Sequence, residues 1–372
     1  MMRFGLDAVP VILSLKWVTL RYFTEGWDTF FREEFVSLGM VSALVGLVDL
    51  ILGHSLSCFV THVALLILVR RIQAGGMCSS SKRLDGQTIV VTGCNVGIGQ
   101  ETARALSHRG AKVVMACRDT RMAEKVATEI TKETGGELVV MKLDLASLAS
   151  VRAFAADLKA KESRIHMLIN NAGVMFCPYM KTEDGFEMQM GTNHLGHFLL
   201  TSLLLPLLTH SEPARIITVS SLGHIGGTIP FEDMNLEKKY SRFEAYGNSK
   251  LANILFTRQL AKRLKGTNIQ VFSLHPGSVQ SNLARHMFSK EWLPTGRLSS
   301  LLIKTTVEGT QTTLYCALEA QQQEPYYYSD CNIGAVIKAA QDDALAEKLW
   351  QVSEEMVGLS KPESSSGSKI KE

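Results

Sequence analysis

Little in this sequence points to nucleic acid, a disulfide scaffold or disorder. Over 372 residues the formal net charge is only +3 and aromatics make up 7%, so the basic, aromatic-rich face of a nucleic-acid binder is missing. The seven cysteines are odd in number and scattered without CxxC or Cys/His pairing. That excludes a disulfide framework and a zinc site, and it favours a reducing environment for most of the chain. Proline is scarce, at 9 residues, and there is no internal repeat. With 46% hydrophobic and 20% charged residues, the chain is neither collagen-like nor coiled-coil and has ample apolar material for a core. Its length allows two domains, or one large α/β domain with extensions.

The apolar residues are unevenly spread. Val9–Leu20 is one run, broken by Lys16. Phe35–Gly53 is a second, containing Asp49, and Leu56–Val69 a third, closed by Arg70 and Arg71. A helix crossing a bilayer core of ~30 Å needs ~20 apolar residues, so one or two spans are expected between Phe35 and Val69, within an anchor region of residues 1–75. The apolar content runs well past the length of a signal peptide. Basic residues after the last run place everything beyond Arg71 in the cytosol. Asp49 is costly in lipid and must face a partner or an interface. Residues 76–83, with their serine run, read as a flexible linker, and residues 360–372 as a disordered tail.

From Leu84 the chain alternates short β-rich runs with helix-length segments. The runs are Thr88–Thr92, Lys112–Ala116, Leu138–Leu143, His166–Asn170, Arg215–Ser220 and Ile269–Leu274; the helical segments are Gly99–Ser107, Met122–Glu133, Ser147–Lys161, Glu183–Thr209 and Glu244–Lys265. Continuously apolar strands separated by helices argue for a parallel sheet covered on both faces, a doubly wound α/β fold. Ligands in such sheets bind beyond the carboxyl ends of the strands.

The first strand runs into Gly93-Cys94-Asn95-Val96-Gly97-Ile98-Gly99. Glycines between a strand and a helix let the backbone approach a pyrophosphate, whose charge the free amides of the helix N-terminus stabilise. The second run is followed by Cys117-Arg118-Asp119. An acid there would hold the ribose hydroxyls, whereas an arginine accommodates a 2′-phosphate, so NADP(H) is favoured over NAD(H). The alternative is a surface Arg118 beside a helix-capping Asp119. Asp144-Leu145 ends the third run; its carboxylate either accepts from the adenine amine or caps the helix near Ser147. Asn170-Asn171-Ala172-Gly173 ends the fourth in a small-residue turn.

Tyr246 and Lys250 are four residues apart in a helical segment, so their side chains share a face. A neighbouring ammonium favours phenolate and would lower the tyrosine pKa, making Tyr246 a proton donor to a carbonyl or an acceptor from an alcohol. Ser220-Ser221 end the fifth run, where a hydroxyl can bond an oxygen on which charge develops. Asn193 lies in an apolar helical stretch, an unfavourable place for an amide without a task. Pro276-Gly277 follow the sixth run and can close a nicotinamide pocket.

Taken together, Thr92–Gly99, Asn170–Gly173, Asn193, Ser221, Tyr246, Lys250 and Pro276-Gly277 resemble, in order and spacing, the short-chain dehydrogenase/reductase family over roughly Leu84 to Leu359. Within it, Leu168–Val174, Asn193–Leu200 and Tyr328–Cys331 look most like the microsomal retinol dehydrogenases, whose relatives include lipid-carbonyl and polyprenol dehydrogenases. The resemblance implies a catalytic domain over residues 84–359, with Tyr246 as general acid/base and Lys250 holding the nicotinamide ribose. It implies that Ser221 orients the substrate oxygen and that Asn193 anchors a proton-relaying water. Cofactor contacts would come from Gly93–Gly99, Arg118, Asp144, Leu145, Asn171, Tyr246, Lys250, Pro276 and Gly277. Gln100 stands where many retinol-active relatives carry lysine. The family expectation is an endoplasmic reticulum membrane, a lipophilic substrate and no nucleic acid, with a homodimer as one option. Ser278–Arg297, with Leu283, Met287, Phe288, Trp292 and Leu293, reads either as an amphipathic lid over the substrate or as core packing. Met175, Cys177 and His224 read as pocket lining, and His275 as structural. Steroids, polyprenols and lipid-peroxidation aldehydes are alternative substrates, and a non-catalytic NADP-binding scaffold is the alternative of another class.

Overall fold

The β-rich runs assemble into a single sheet. In the computed structural model, which describes residues 56–211, 213–280, 283 and 303–359, the strands are β1 (Thr88–Thr92), β2 (Lys112–Cys117), β3 (Leu138–Lys142), β4 (Met167–Asn170), β5 (Ala214–Val219), β6 (Ile269–His275), β7 (Tyr327–Ser329) and β8 (Asn332–Ile333). Their order is β3-β2-β1-β4-β5-β6-β7-β8. All neighbours pair in parallel except β7 and β8. Strand order reverses between β1 and β4, which opens a crevice beyond their carboxyl ends.

The helices are α1 (Leu56–Ala74), α2 (Gly97–Ser107), α3 (Thr120–Thr134), α4 (Leu148–Lys161), α5 (Gly196–Thr209), α6 (Arg242–Arg263), α7 (Thr306–Leu318) and α8 (Asp343–Met356). Alternate strand residues feed two cores. Val90, Val114, Leu168 and Ile216 pack under α4, α5, α6 and α8. Ile89, Val91, Val113 and Ile169 pack under α2, α3 and α7. This double burial explains why the strands read as unbroken apolar runs.

Three expectations change. The segment expected as one helix over Glu183–Thr209 is instead a single turn at Met188–Met190, a π-helical stretch at Gly191–Leu195, and then α5. The buried Glu187 carboxylate fixes the start by accepting from Gln189 N (3.0 Å) and Met190 N (2.7 Å). Beyond β6, α7, β7, β8 and α8 were not anticipated, although Thr305 and Glu308 form a capping box at α7 and Asp342 caps α8. Residues 76–83 lack regular structure, yet Cys78 N donates to Gln311 Oε1 at 3.2 Å. A Cβ on Gly76 would lie 2.1 Å from the Asp330 carbonyl oxygen. This segment therefore lies against α7 and the β7–β8 turn, so its glycine serves close approach as well as any flexibility.

The chain divides into two units, the smaller containing nearly all of α1. Helix α1 exposes Val63, Leu66, Ile67, Leu68 and Ile72. Among the described residues no helix is long and apolar enough to cross a membrane, so the anchoring span expected between Phe35 and Val69 is not shown. Most of that span lies outside the described residues, as do Val9–Leu20, most of the expected lid and the tail.

Candidate active site

The loop after β1 turns at Gly93, whose φ is 63°, a conformation open mainly to glycine. There is no room for a side chain, because a Cβ would stand 2.7 Å from that of Ala172. The loop delivers the chain to α2, whose N-cap Val96 provides no side-chain hydrogen bond. The first amides of a helix lack intrahelical partners, so the run from Cys94 through Asn95, Val96, Gly97 and Ile98 to Gly99 presents donors suited to a dinucleotide's phosphates. Asn171 braces this loop, its Nδ2 donating to Thr92 O (2.8 Å) and Gly93 O (3.2 Å).

At the end of β2, Arg118 is exposed, and Lys142 Nζ donates to its carbonyl at 2.6 Å. A second cation, Lys142, thus stands beside the Arg118 backbone at the carboxyl end of β2, and only Arg118 was anticipated. Asp119 caps α3 by accepting from Met122 N at 3.0 Å. Asp144 does not cap α4; Ser147 does. The Asp144 carboxylate instead accepts from Ala146 N at 3.0 Å, two residues on and within reach in a tight turn. Leu145 is buried in the core. Pro276 and Gly277 follow β6, where the Lys304 side chain fills the space beside Gly277.

Four elements bring the reactive side chains together. Ser221 follows β5, and its Oγ accepts from Gly223 N at 3.0 Å. Tyr246 and Lys250 share one face of α6, with Lys250 Nζ 5.6 Å from the Tyr246 ring centroid. Phe176 packs edge-on to that ring at 5.0 Å. Lys250 Nζ donates to Val219 O at 3.1 Å. Asn193 sits in the π-helical stretch, where its Oδ1 accepts from Val174 N (2.8 Å) and its Nδ2 donates to Val174 O and Ser249 Oγ (both 2.9 Å). Gly173 faces both groups: a Cβ there would be 3.1 Å from Asn193 Oδ1 and 3.7 Å from Lys250 Nζ.

The electrostatics depart from the sequence expectation. Burial pushes the Tyr246 phenol up to about 12, against a smaller lowering by the Ser221 hydroxyl bonded to it. Burial also brings Lys250 down to about 8. Desolvation penalises phenolate and ammonium alike, and it is the main cause of both shifts. A neutral phenol at neutral pH is suited to giving its proton to a carbonyl oxygen, and Lys250 can change its charge near working pH. His224 and His275 hold their rings in place through backbone bonds, His224 Nδ1 to Ser221 O (2.8 Å) and His275 Nδ1 accepting from Leu222 N (3.2 Å). Sequence reasoning passed over Lys142, Gly223 and His197. A signal existed for the last, since His197 lies one helical turn beyond Asn193.

A family model described as short chain dehydrogenase matches residues 87–292. Human retinol dehydrogenase 12 is 51% identical over 297 residues, covering 78% of this chain and 92% of that protein. Human retinol dehydrogenase 13 is 43% identical, covering 82% and 95%. Among solved structures, an uncharacterised protein from Mycobacterium paratuberculosis is similar with a TM-score of 0.62 and 38% identity, covering 76% of this chain and 98% of that one. A short chain dehydrogenase from Escherichia coli, solved with NADPH, is similar in fold with a TM-score of 0.52 and 24% identity, covering 64% and 94%.

Proposed function

Because the chain belongs to the short-chain dehydrogenase/reductase family, we propose that it interconverts retinol and retinal with NADP(H), residues 84–359 forming the catalytic domain. A bound nicotinamide supplies or accepts the hydride. Tyr246 gives its proton to the carbonyl oxygen in reduction and takes it back from the alcohol in oxidation. Ser221 orients that oxygen by hydrogen bonding. Lys250 holds the nicotinamide ribose and passes charge changes to Tyr246, and Asn193 anchors the proton supply behind it. Gly93 through Gly99 would cradle the phosphates, with Asn171 bracing that loop and facing the cofactor; Asp144 and Leu145 would flank the adenine, and Pro276 with Gly277 would close the nicotinamide side.

The observation that carries this reading is the meeting of a buried phenol, a buried ammonium and a serine hydroxyl at the carboxyl ends of β4 and β5. NADP(H) is favoured over NAD(H) by the exposed Arg118 and by Lys142, whose ammonium bonds the Arg118 main chain, since a 2′-phosphate rewards positive charge there. Retinoid as substrate is favoured by similarity to the retinol dehydrogenases at 43–51% identity. We also infer that residues 1–75 hold the enzyme on the endoplasmic reticulum membrane with its catalytic domain facing the cytosol. The apolar runs and the basic pair Arg70-Arg71 support this, and protease protection of microsomes checks it.

The deciding experiment offers all-trans-retinal, a polyprenal, a steroid ketone and a medium-chain aldehyde to the detergent-solubilised full chain, each with NADPH and NADH. Retinal turnover with NADPH, lost in Tyr246→Phe, is the expected result. Turnover of another carbonyl alone would keep the mechanism and move the substrate. Bound NADPH without any turnover would make the protein a non-catalytic sensor.

A further inference from the structure

His197, in the first turn of α5, is fully buried at 1% exposure, and both ring nitrogens have partners. Nδ1 lies 3.0 Å from the backbone carbonyl of Asn193. Nε2 lies 2.9 Å from Thr92 Oγ1. A carbonyl can only accept, so Nδ1 carries the proton and, in the neutral ring, Nε2 is a bare acceptor. The other end of the chain of bonds requires the same tautomer. Thr92 Oγ1 already accepts from Asn171 N and Ala172 N, both at 2.9 Å, which uses its two lone pairs. Its own proton is left to donate, and His197 Nε2 is nearer than the alternative acceptor Ile169 O at 3.4 Å.

The tautomer is thereby set by contacts at both ends, and the bonds have one direction throughout. The amides of Asn171 and Ala172 feed Thr92, Thr92 feeds His197, and His197 feeds the carbonyl of Asn193. The Asn193 carbonyl lies in the π-helical stretch Gly191–Leu195, and the side chain of His197, one turn on, bonds it from the start of α5. The same ring reaches across to β1, so the strand carrying the glycine loop and the turn bearing Asn193 share one rigid connection.

We propose that His197 is a positioning residue, a strut that fixes the Asn193 turn beside Lys250 relative to the Thr92–Gly93 loop that receives the cofactor. The proposal rests on the reading of Asn193, Tyr246 and Lys250 given above. Its effect falls on turnover and on nucleotide affinity, leaving the KM for the carbonyl substrate little changed.

The test compares His197→Leu, His197→Asn and Thr92→Val in the full chain. NADPH affinity is read by fluorescence titration, kcat and KM by retinal reduction, and folding by thermal melting. His197→Leu takes the donor from the Asn193 carbonyl and the nearer acceptor from the Thr92 hydroxyl, and should lower kcat by about 10-fold or more and weaken NADPH binding by a similar factor, by analogy with other buried groups that lose a hydrogen bond. His197→Asn keeps an N–H donor near the δ position and should recover most of the kcat while NADPH binding stays weakened. Thr92→Val removes the hydroxyl and should mainly weaken NADPH binding. A role confined to folding would lower the melting temperature of all three and leave kcat of the folded enzyme and NADPH affinity unchanged, and that overturns the proposal. Equal kcat losses in the Leu and Asn variants overturn it too. If His197→Leu does not fold, His197→Asn and Thr92→Val decide, because both spare the bond to Asn193 and both cut the bond to Thr92: the strut predicts largely retained kcat with weakened NADPH binding in each, and no further weakening when the two are combined, whereas additive losses overturn it. If Tyr246→Phe retains turnover, the catalytic reading fails on its own account, whereas an inactive Tyr246→Phe beside an unaffected His197→Leu refutes the strut alone.

Discussion

Gly223→Ala tests the geometry of the site with a single methyl group. Gly223 lies in the 3₁₀ turn Leu222–Gly226, a right-handed conformation that alanine adopts without strain, so any effect must come from contact. The added Cβ would stand 2.9 Å from Tyr246 Cε1 and 3.1 Å from Cδ1. Carbon atoms prefer ~3.5–4.0 Å, so ring and turn must separate by roughly 0.5–1 Å. The ring has little room to yield: Tyr246 is 6% exposed and backed by Phe176. Moving the turn would drag Ser221, whose Oγ accepts from Gly223 N. Either way the phenol and the serine hydroxyl lose their relation, and a misplacement of ~1 Å costs on the order of 10²-fold in rate. The packing penalty should be about 1–3 kcal/mol, so kcat and stability need separate assays, retinal reduction under saturating NADPH and thermal melting. A folded variant with kcat within about twofold of wild type would refute the claim that this contact sets the catalytic geometry.

Tyr246→Phe should lower kcat by ~10²–10⁴-fold, the span of a positioned acid/base, while NADPH affinity by fluorescence stays within about threefold; near-normal turnover would remove Tyr246 from its role. Arg118→Ala combined with Lys142→Ala should weaken NADPH by roughly 10–100-fold, the worth of one or two charged hydrogen bonds, and leave NADH unchanged. Equal losses for both nucleotides would show that neither cation meets a 2′-phosphate. Burial holds the His194 imidazole down at about 3. The unfolded chain therefore takes up a proton below about 6.5 while the folded one does not, so stability falls as pH drops from about 6.5 towards 3. At pH 5 this one residue should account for about 2 kcal/mol relative to pH 7. Urea unfolding of His194→Gln should flatten the pH dependence by that amount, and an unchanged slope would rule the residue out.

The strand order could not be read from any single segment. Alternation of apolar runs and helical stretches is a local property, which is why β1, β2, β4 and β6 begin within a residue of their expected starts. Helix α7 and β7 were missed because their burial comes from tertiary packing, α7 beside α2 on one face of the sheet and β7 alongside β6, and not from a strong period of their own. The uninterrupted helix expected through Asn193 failed for a similar reason: its backbone is met by side chains, Glu187 in the turn before the π-helical stretch and His197 at the Asn193 carbonyl within it, which no propensity describes.

By itself the sequence determined the doubly wound fold class, the glycine loop and the pairing of Tyr246 with Lys250, since each is written in residues a few positions apart. Only the tertiary structure decided the direction of the Tyr246 and Lys250 pKa shifts, the partner of Asp144, the place of Lys142 beside the Arg118 main chain and the bonds of His197. Desolvation depends on the whole surrounding shell, and a bond between Thr92 and His197 spans 105 residues. Contacts at that range exist only once parallel register has brought the carboxyl ends of the strands together.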